Sequence, residues 1–322
     1  MKVLITGMAG FIGFHTAMHY HNQGWDVVGF DNFNTYYDPE LKYDRAEHLR
    51  TEYGINVDNI DLRSIIHEGG YDSFYMDEFI IEHKPDLVIH LAAMAGVRYS
   101  MDHPQEYIDV NITGTQNLIN ACEKAGIQDV IYASTSCTMH GNPLPWSEDE
   151  KLGKQLSPYG YSKANNEHQF HISKIPNAVC LRFFTVYGPW GRPDMALFDF
   201  TNSILADKTI DVFNNGDMKR DFTYVTDIVQ GIWLVSQNMN SRNTYCIGNG
   251  RQVDLMDFIG EIEKNLGKTA TKNFVPAHPA DALETWSDTT KICKLGYKST
   301  TSIEQGVELF IEWYRNYFGK NT

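Results

Sequence analysis

A glycine-rich turn close to the N-terminus limits the possible folds of this chain more than any other feature. A β-branched run at residues 2–6 leads into the turn, and residues 11–23 have the character of a helix. Glycines in such a turn let the chain reverse tightly, let a pyrophosphate approach the backbone and let the helix pack closely on the strand. The helix N-terminus adds amide donors and partial positive charge for phosphates. The residues predicted to bind a dinucleotide here are Gly7, Gly10, Phe11, Ile12 and Gly13.

An acidic residue follows the second predicted strand, residues 26–30. This residue, Asp31, lies 18 positions after Gly13, where a carboxylate accepts hydrogen bonds from the ribose hydroxyls of an adenosine. It would repel a 2′-phosphate, and no adjacent arginine is available to receive one. The sequence therefore predicts NAD rather than NADP as the cofactor.

Strand and helix patterns alternate through the first half of the chain, which predicts a parallel sheet. Beyond about residue 185 the alternation becomes irregular. We predict an α/β fold, with a Rossmann-type doubly wound parallel sheet at residues 1–185 and a smaller C-terminal α/β substrate domain at residues 186–322. A segment near 225–247 is predicted to pack back on the first domain. Predicted helices lie at 43–53, 73–83, 104–125, 155–173, 195–206, 225–237, 255–266 and 303–318, and predicted strands lie within 56–62 and at 86–90, 129–133 and 209–213.

The ends of the later strands supply further candidates for cofactor binding, because ligands of an open parallel sheet lie beyond the carboxyl ends of its strands. The strand at 86–90 runs into small residues, which let a flat cofactor lie against the backbone. The predicted contacts are Asn32, Asp61, Leu62, Leu91, Ala92, Ala93, Asn111 and Ser134, with Asp61 and Leu62 near the adenine.

Tyr159 and Lys163 are four residues apart in a predicted helix, so their side chains share one face. A free tyrosine has a pKa near 10, so only about one molecule in a thousand is ionised at pH 7. A cation one turn away, together with a positively charged nicotinamide ring, lowers that pKa. The pair therefore predicts a general base that takes a proton from an alcohol while hydride leaves its carbon. The same pattern also arises by chance on helices whose lysine points into solvent.

A hydroxyl-rich segment, residues 134–141, follows the strand at 129–133. Because it lies beyond a strand end, it can bind a sugar hydroxyl and support Tyr159. The alternative is a polar loop that caps neighbouring backbone, which is the commoner use of serine and threonine.

Charge and composition exclude several classes of function. The net charge of −14 argues against nucleic acid and anionic membranes as partners. No run reaches 18 apolar residues, so no membrane span is predicted. Five cysteines without CxxC spacing predict a reduced cytoplasmic protein without disulfides. No cysteine or glutamate completes a metal set around the paired histidines, so no metal site is predicted.

Together these features resemble the extended short-chain dehydrogenase/reductase superfamily, and the resemblance extends across nearly the whole chain. The residues that carry it are Gly7, Gly10, Gly13, Asp31, Ser136, Tyr159 and Lys163. Several segments look specifically like UDP-glucuronate 4-epimerases, which are NAD-dependent nucleotide-sugar epimerases. These segments are 31–38, 90–100, 182–196, 219–225 and 283–288.

The resemblance implies catalytic roles for three residues. Tyr159 is the base, Lys163 holds the ribose and lowers the pKa of the phenol, and Ser136 bonds the reacting hydroxyl. Thr185 and Arg192 match positions associated with the sugar carboxylate, and a guanidinium is suited to bidentate carboxylate binding.

The resemblance also implies contacts with the nucleotide. Arg220 matches the arginine that pairs with the diphosphate, and Asp281 matches an acid near the ribose or phosphates. Phe198 or Phe213 stacks on uracil or belongs to the core. The remaining predicted substrate-binding residues are Arg98, Cys137, Thr138 and Ala196.

The chain departs from the family pattern beside the catalytic serine. Relatives read Ser-Ser-Ser-Val-Tyr-Gly, whereas Cys137 stands here for a hydroxyl and His140 for the tyrosine. Both changes are predicted to alter the wall of the sugar pocket. A Pro-Gly-Asp pattern is also altered, since Ala280 replaces its glycine.

The sequence thus predicts NAD-dependent 4-epimerisation of a UDP-sugar, UDP-glucuronate to UDP-galacturonate, through a transient 4-keto intermediate. One alternative is a UDP-glucuronate decarboxylase, although those enzymes carry a glutamate where this chain has Cys137. Another is a 4-epimerase of UDP-glucose or UDP-N-acetylglucosamine, which would leave Arg192 without a carboxylate. A non-catalytic NAD-sensing scaffold is a third alternative, against which the intact catalytic residues argue. By analogy with the superfamily, helices 104–125 and 155–173 predict a homodimer.

Overall fold

The computed structural model describes residues 1–64, 75–239 and 241–319. In the first half, strands and helices follow one another as predicted. The elements are β1 (Lys2–Thr6), α1 (Phe11–Asn22), β2 (Asp26–Asp31), α2 (Glu40–Tyr53), β3 (Asp58–Asn59), α3 (Met76–His83), β4 (Leu87–His90), α4 (Tyr99–Asp102), α5 (Pro104–Tyr107), a π-helix (Ile108–Gly114), α6 (Thr115–Ala125), β5 (Asp129–Thr135), a 3₁₀-helix (Ser136–Met139), α7 (Pro158–Ile172) and β6 (Asn177–Phe183).

The second half has shorter strands between its helices. Its elements are β7 (Thr185–Tyr187), α8 (Ala196–Leu205), β8 (Ile210–Phe213), a 3₁₀-helix (Asn214–Gly216), β9 (Lys219–Arg220), β10 (Phe222–Tyr224), α9 (Val225–Ser236), β11 (Asn243–Ile247), β12 (Val253–Asp254), α10 (Leu255–Leu266), β13 (Lys272–Val275), α11 (Thr290–Cys293) and α12 (Ile303–Phe318).

The largest sheet has seven parallel strands in the order β3–β2–β1–β4–β5–β6–β11. The chain builds outward from β1 to β3 and then continues from β4 on the other side of β1. This is the doubly wound, Rossmann-type arrangement that the alternation predicted. The order in which successive strands are added to the sheet reverses between β1 and β4, where Thr6 pairs with His90. Ligands of such sheets bind at the carboxyl edge of this switch point.

Apolar side chains cover both faces of the sheet. Leu4 and Ile5 are neighbours in β1 and point to opposite faces, and both are fully buried. Ile5 packs in a core with residues of α1 and α9, and Leu4 packs in a core with residues of α3 and α6. A third core lies between α8, α10 and α12 and contains Phe198, Phe258 and Phe310. We call the part built on the large sheet the first lobe and the part around this third core the second lobe.

The segment after β10 contributes to the first lobe. Helix α9 packs against α1, and β11 pairs with β6 through residues from Asn243 to Ile247. The chain therefore passes from the first lobe to the second and back before it ends in α12. The proposed domain boundary at residue 185 stays a prediction.

One fully buried arginine joins the glycine turn to the loop after β7. Arg45, on α2, donates from Nη1 to the carbonyl of Ala9 at 3.0 Å. Its Nη2 donates to the carbonyls of Trp190 at 2.6 Å and Gly191 at 3.2 Å. On α1, His15 donates from Nε2 to the carbonyl of Pro189 at 3.0 Å. The loop at 188–195 is thus hydrogen-bonded to the first lobe at three consecutive carbonyls.

Several predicted boundaries differ from the structure. The strand predicted within 56–62 is limited to Asp58–Asn59. The helix predicted at 155–173 begins at Pro158, because the Ser157 hydroxyl accepts from the Gly160 amide and caps the helix there. The helix predicted at 73–83 is α3 from Met76 onward, and its first two predicted positions lie outside the described residues. In the described ranges, no helix is long and apolar enough to cross a membrane.

Candidate active site

A large cavity runs along the carboxyl edge of the sheet, and both halves of the chain contribute to its walls. The glycine turn and the ends of β2 and β4 line one part of it. Tyr159 and Lys163, on α7, line the middle, and Thr185 and Arg192 line the side toward the second lobe. One continuous space therefore contains the predicted cofactor, catalytic and carboxylate-binding residues.

The glycine turn leaves no room for side chains. A Cβ atom on Gly13 would lie 2.1 Å from the Gly7 carbonyl oxygen, and one on Gly7 would lie 2.8 Å from the Ala92 amide nitrogen. Gly7 has φ of +70°, which L side chains rarely adopt. Within the described part of the chain, no side chain caps the start of α1 at Gly10, so its first amides are open toward the cavity. This cradle fits a dinucleotide pyrophosphate.

The adenosine end of the cavity contains the predicted acid. Asp31 ends β2, lines the cavity and accepts a hydrogen bond from the Phe33 amide at 2.9 Å. Burial raises the pKa of this carboxyl, and the charge of Lys42 partly offsets that rise. Asn32 donates to Asp61 at 2.8 Å, so these two predicted residues are joined, and Leu62 lies beside them in the wall.

Lys42 is a cavity residue that sequence reasoning missed. Its ammonium donates to the backbone and side-chain oxygens of Asn34, each at 2.8 Å, and it is buried near Asp31. Burial lowers the pKa of Lys42 to about 8. A lysine eleven positions after Asp31 is a weak signal in the sequence, and the packing of α2 on the loop places it in the cavity.

Asn111 does not line the cavity, and its role as a direct cofactor contact stays a prediction. It is fully buried, its Oδ1 accepts from the Met94 amide at 2.8 Å, and its Nδ2 donates to the Met94 carbonyl and the Ser162 hydroxyl. It lies in the π-helix, which interrupts the helix predicted at 104–125. The Asn111 carbonyl accepts from Asn166 Nδ2 at 2.7 Å, so this turn links the cavity wall to α7. Leu91, Ala92 and Ala93 do line the cavity as predicted.

Burial dominates the electrostatics around Tyr159. Burial, followed by the nearby Cys137 thiol, raises the pKa of the Tyr159 phenol to about 12. A hydrogen bond with Thr135 and the charge of Arg192 partly offset that rise. The lowering of this pKa by Lys163 together with a charged nicotinamide ring stays a prediction. Thr135, which belongs to the hydroxyl-rich segment predicted to support Tyr159, lines the cavity and contacts the phenol.

A buried ionic network lies behind the catalytic residues. Ser134 and Ser136 both line the cavity, but the Ser134 hydroxyl donates to Glu167 at 2.5 Å. Glu167 forms a two-point ion pair with Arg182, at 2.8 Å between Oε2 and Nη2. Burial lowers the pKa of Lys163 to about 8, partly offset by Cys180 and Glu167. Glu167 thus orients the polar floor of the site, whereas Ser136 has its hydroxyl at the cavity surface.

The lowered pKa of Lys163 predicts a measurable effect on stability. Between pH 8 and 10.5 the unfolded chain binds this proton and the folded chain does not. The free-energy cost of burying Lys163 therefore falls as pH rises. We expect cofactor-free Lys163→Met to be more stable than wild type at pH 7. By pH 9.5 wild type should recover roughly 2 kcal/mol relative to the variant. Urea unfolding at both pH values measures this difference, and a constant gap between the two proteins would contradict it.

Arg192 already has a carboxylate partner within the protein. Its Nε donates to Asp194 Oδ1 at 3.0 Å and its Nη2 donates to Asp194 Oδ2 at 2.5 Å. The Tyr36 hydroxyl, from the loop after β2, donates to the same Oδ2 at 2.8 Å. Thr185, Arg192 and Tyr36 line the cavity together. The sequence analysis identified the arginine and missed both Asp194 and Tyr36.

Seven predicted substrate residues do not line the main cavity, and Thr138, Phe198 and Ala196 are three of them. Thr138 is fully buried, and its hydroxyl donates to the Thr135 carbonyl at 2.8 Å. Phe198 is in the core of the second lobe, with Phe310 and other rings around it, so it has no free face for a base. Ala196 lines a small apolar cavity beside it. His140 is also absent from the lining, so the departure from the family pattern that reaches the main cavity is Cys137.

The predicted nucleotide residues form a separate group beside Cys137. Arg98 pairs with Asp281 at 2.7 Å, and its guanidinium carbon lies 3.7 Å from the centre of the Phe213 ring. Arg220 donates to the Leu283 carbonyl at 2.8 Å and is near both Asp281 and Cys137. Arg98 therefore covers one face of the Phe213 ring.

A dinucleotide cradle that opens onto a tyrosine, a lysine and several hydroxyls defines the class of nicotinamide-dependent enzymes that act on a carbon bearing an alcohol. The NAD dependent epimerase/dehydratase family matches residues 3–248, and the chain belongs to that family. The residues present in the cavity fit NAD, which is the cofactor of this enzyme class.

Individual relatives are similar over nearly their full length. Protein CapI of Staphylococcus aureus is 40% identical over 99% of this chain and 100% of that protein. A probable UDP-glucuronate 4-epimerase of Rhizobium meliloti is 36% identical over 100% of this chain and 99% of its own length. The crystal structure of UDP-glucuronic acid 4-epimerase from Bacillus cereus in complex with UDP-glucuronic acid and NAD superposes with a TM-score of 0.89. It is 34% identical and covers 98% of this chain and 100% of that one.

Proposed function

We propose that the protein is an NAD-dependent UDP-glucuronate 4-epimerase, which interconverts UDP-glucuronate and UDP-galacturonate. The observation that carries this proposal is the placement of Arg192 in the same cavity as Tyr159 and the dinucleotide cradle. An arginine suits a carboxylate, and the sugar of UDP-glucuronate carries one beside the carbon that reacts. The similarity to epimerases whose names specify UDP-glucuronate supports the same substrate.

NAD supplies the acceptor and donor of hydride when it is bound in the cradle, and its charged ring favours the phenolate of Tyr159. The Tyr159 oxygen takes the proton of the C4 hydroxyl and later returns it. Ser136 and Thr135 place hydroxyl groups at the cavity surface, where they hold the same sugar oxygen. Lys163 presents an ammonium to the cofactor side of the cavity and is supported by Glu167. Inversion follows when the sugar turns its other face before the proton and hydride return.

The carboxylate makes the intermediate fragile. A 4-keto uronate is a β-keto acid, which loses carbon dioxide when its carboxylate can rotate out of the plane of the carbonyl. Arg192 and Thr185 hold the carboxylate, so the epimerase returns hydride before the carbon–carbon bond breaks. Among the residues lining the cavity there is no glutamate beside Ser136, where Cys137 lies instead, and this favours epimerisation over decarboxylation.

The assembly and the location belong to the same proposal. We propose an NAD-binding domain at residues 1–185 and a nucleotide-sugar-binding domain at residues 186–322. We also propose a homodimer formed through α6 and α7, because Tyr161 and Ile172 on α7 are exposed. A cytoplasmic location is supported by the free state of the five cysteines.

An NMR time course of the purified protein with UDP-glucuronate and NAD tests the proposed function. The anomeric protons should report a mixture of UDP-glucuronate and UDP-galacturonate that approaches equilibrium, with little carbon dioxide released. A pentose product would show that the protein is a decarboxylase and would contradict the proposed epimerase activity. No reaction with UDP-glucuronate, together with turnover of UDP-glucose or UDP-N-acetylglucosamine, would show that the substrate is a neutral sugar.

A further inference from the structure

Arg192, the proposed carboxylate-binding residue, is held by a residue outside the cavity lining. Arg192 lines the cavity, whereas its partner Asp194 does not. Asp194 takes only the Nε–Nη2 edge of the guanidinium, in a two-point contact. A guanidinium carries five N–H donors, so the two N–H bonds of Nη1 are not used by Asp194. A second carboxylate can therefore bind the same arginine without displacing the first.

Tyr36 also donates to Asp194, at the oxygen that Arg192 Nη2 contacts, and the position of Tyr36 is set by the first lobe. The Tyr36 amide donates to Asn34 Oδ1 at 3.2 Å, and the Tyr36 ring packs edge-on against Tyr99 at 4.8 Å. A Cβ on residue 96 would lie 2.1 Å from the Tyr36 hydroxyl oxygen, so Gly96 is needed for that oxygen to reach Asp194. The Tyr36 hydroxyl is therefore a fixed point against which Asp194 and Arg192 are aligned.

The charges agree with a permanent pair. Burial raises the pKa of Asp194, but Arg192 and the Tyr36 hydroxyl offset it, and the net pKa is below the usual value. Burial likewise disfavours the charged guanidinium, but Asp194 offsets it and the pKa of Arg192 is raised. Both groups stay ionised at every pH of interest. The cavity wall then presents a neutralised arginine, which attracts a carboxylate by geometry more than by net charge.

We propose that Asp194 and Tyr36 are positioning residues that hold Arg192 so that its Nη1 side receives the carboxylate of a UDP-uronate. This inference rests on the proposed function and deepens it. The hydrogen bond from Tyr36 crosses from the first lobe to the loop at 188–195, so it aligns the carboxylate site with Tyr159. An arginine that can tilt would hold the carboxylate less firmly and would let the 4-keto sugar lose carbon dioxide.

The competing arrangement makes the opposite prediction. If the substrate carboxylate had to displace Asp194, then Asp194 would be an internal competitor. Removing its charge would strengthen binding of UDP-glucuronate instead of weakening it. The direction of the change in KM therefore separates positioning from competition.

The test compares Tyr36→Phe and Asp194→Asn with two matched controls, in the NAD-loaded enzyme. Tyr43→Phe removes the hydroxyl of an exposed tyrosine, and Asp199→Asn removes an exposed carboxylate five residues from Asp194. We measure KM for UDP-glucuronate, the inhibition constant of UDP-glucose, and the ratio of pentose to epimer by NMR. For both test variants we expect KM to rise about tenfold or more, because each loses a hydrogen bond to a charged group.

The other readouts distinguish positioning from a structural defect. The inhibition constant of UDP-glucose, which has no carboxylate, should stay within about twofold, and the pentose fraction should rise in the test variants only. Asp194→Glu, which keeps the charge, should recover part of the KM, and thermal unfolding checks that each variant is folded.

Three outcomes would overturn the proposal. Unchanged KM and product ratio in folded Tyr36→Phe and Asp194→Asn would leave the proposed epimerase intact and remove the positioning role. A lower KM in Asp194→Asn would make Asp194 a competitor. No turnover of UDP-glucuronate by wild type would overturn the proposed function, and this inference with it.

Discussion

Replacing Tyr159 with phenylalanine is expected to lower kcat about 10³-fold or more while leaving NAD and UDP-sugar binding nearly unchanged. The phenol lines the cavity next to Thr135. Among the described residues, the other tyrosines that line this cavity are Tyr36 and Tyr37, which belong to the loop after β2. The substitution removes one oxygen and keeps the ring, which packs against Tyr107 at 6.2 Å. The loss should therefore appear in kcat and not in stability.

The control for this prediction is Tyr161→Phe. Tyr161 lies two residues further along α7 and is 53% exposed, so it has the same chemistry without access to the cavity. NMR turnover of UDP-glucuronate gives kcat, and NAD binding is followed by fluorescence. If Tyr159→Phe kept a tenth of the wild-type kcat, another group would have to be the base, and a scaffold function would regain support only if wild type also failed to turn over.

Replacing Arg192 with methionine is expected to raise KM for UDP-glucuronate about 30-fold to 5 × 10³-fold, which corresponds to the roughly 2–5 kcal/mol lost when one partner of a buried charge pair is truncated. The variant also loses the restraint on the carboxylate, so we expect part of the product to be pentose. Inhibition by UDP-glucose should change much less, because the sugar of that ligand has no carboxylate for Arg192 to bind.

Arg50→Met is the matched control for that prediction. Arg50 forms an exposed ion pair with Glu47 on α2, away from the cavity. KM values for the two variants and the pentose fraction are obtained from the same NMR time courses. Equal KM for UDP-glucuronate in Arg192→Met and wild type would exclude Arg192 as the carboxylate contact and would favour a neutral sugar as substrate.

The features that sequence reasoning predicted well depend on short segments. The glycine turn, Asp31 and the pair Tyr159–Lys163 are each determined within one strand, turn or helix, and the structure places all of them in the cavity. Periodicity also fixed α10 and α12 at the predicted ranges, because both are amphipathic helices with an unbroken apolar face.

The features that sequence reasoning missed depend on contacts between segments that are distant in the sequence. The Tyr36 hydroxyl meets Asp194 across 158 positions of sequence, and no local pattern relates them. Thr135 and Thr138 looked alike as hydroxyls, but β5 ends at Thr135 and a 3₁₀-helix begins, which turns Thr138 into the interior. For Phe198 the sequence left stacking on a base and a place in the core both open, and the packing of α12 around it places it in the core. The pKa of Tyr159 depends on its burial, which a sequence does not specify.

The hydrogen bonds of Arg45 attach the loop at 188–195 to the first lobe. By position in the chain the loop leads into the second lobe, but three of its carbonyls are held by Arg45 and His15 of the first lobe. If the second lobe swings as a rigid body when substrate enters or leaves, these carbonyls stay in the frame of reference of α1 and α2. In that case the distance between the carboxylate site and Tyr159 would stay constant while the nucleotide end of the groove changes in width.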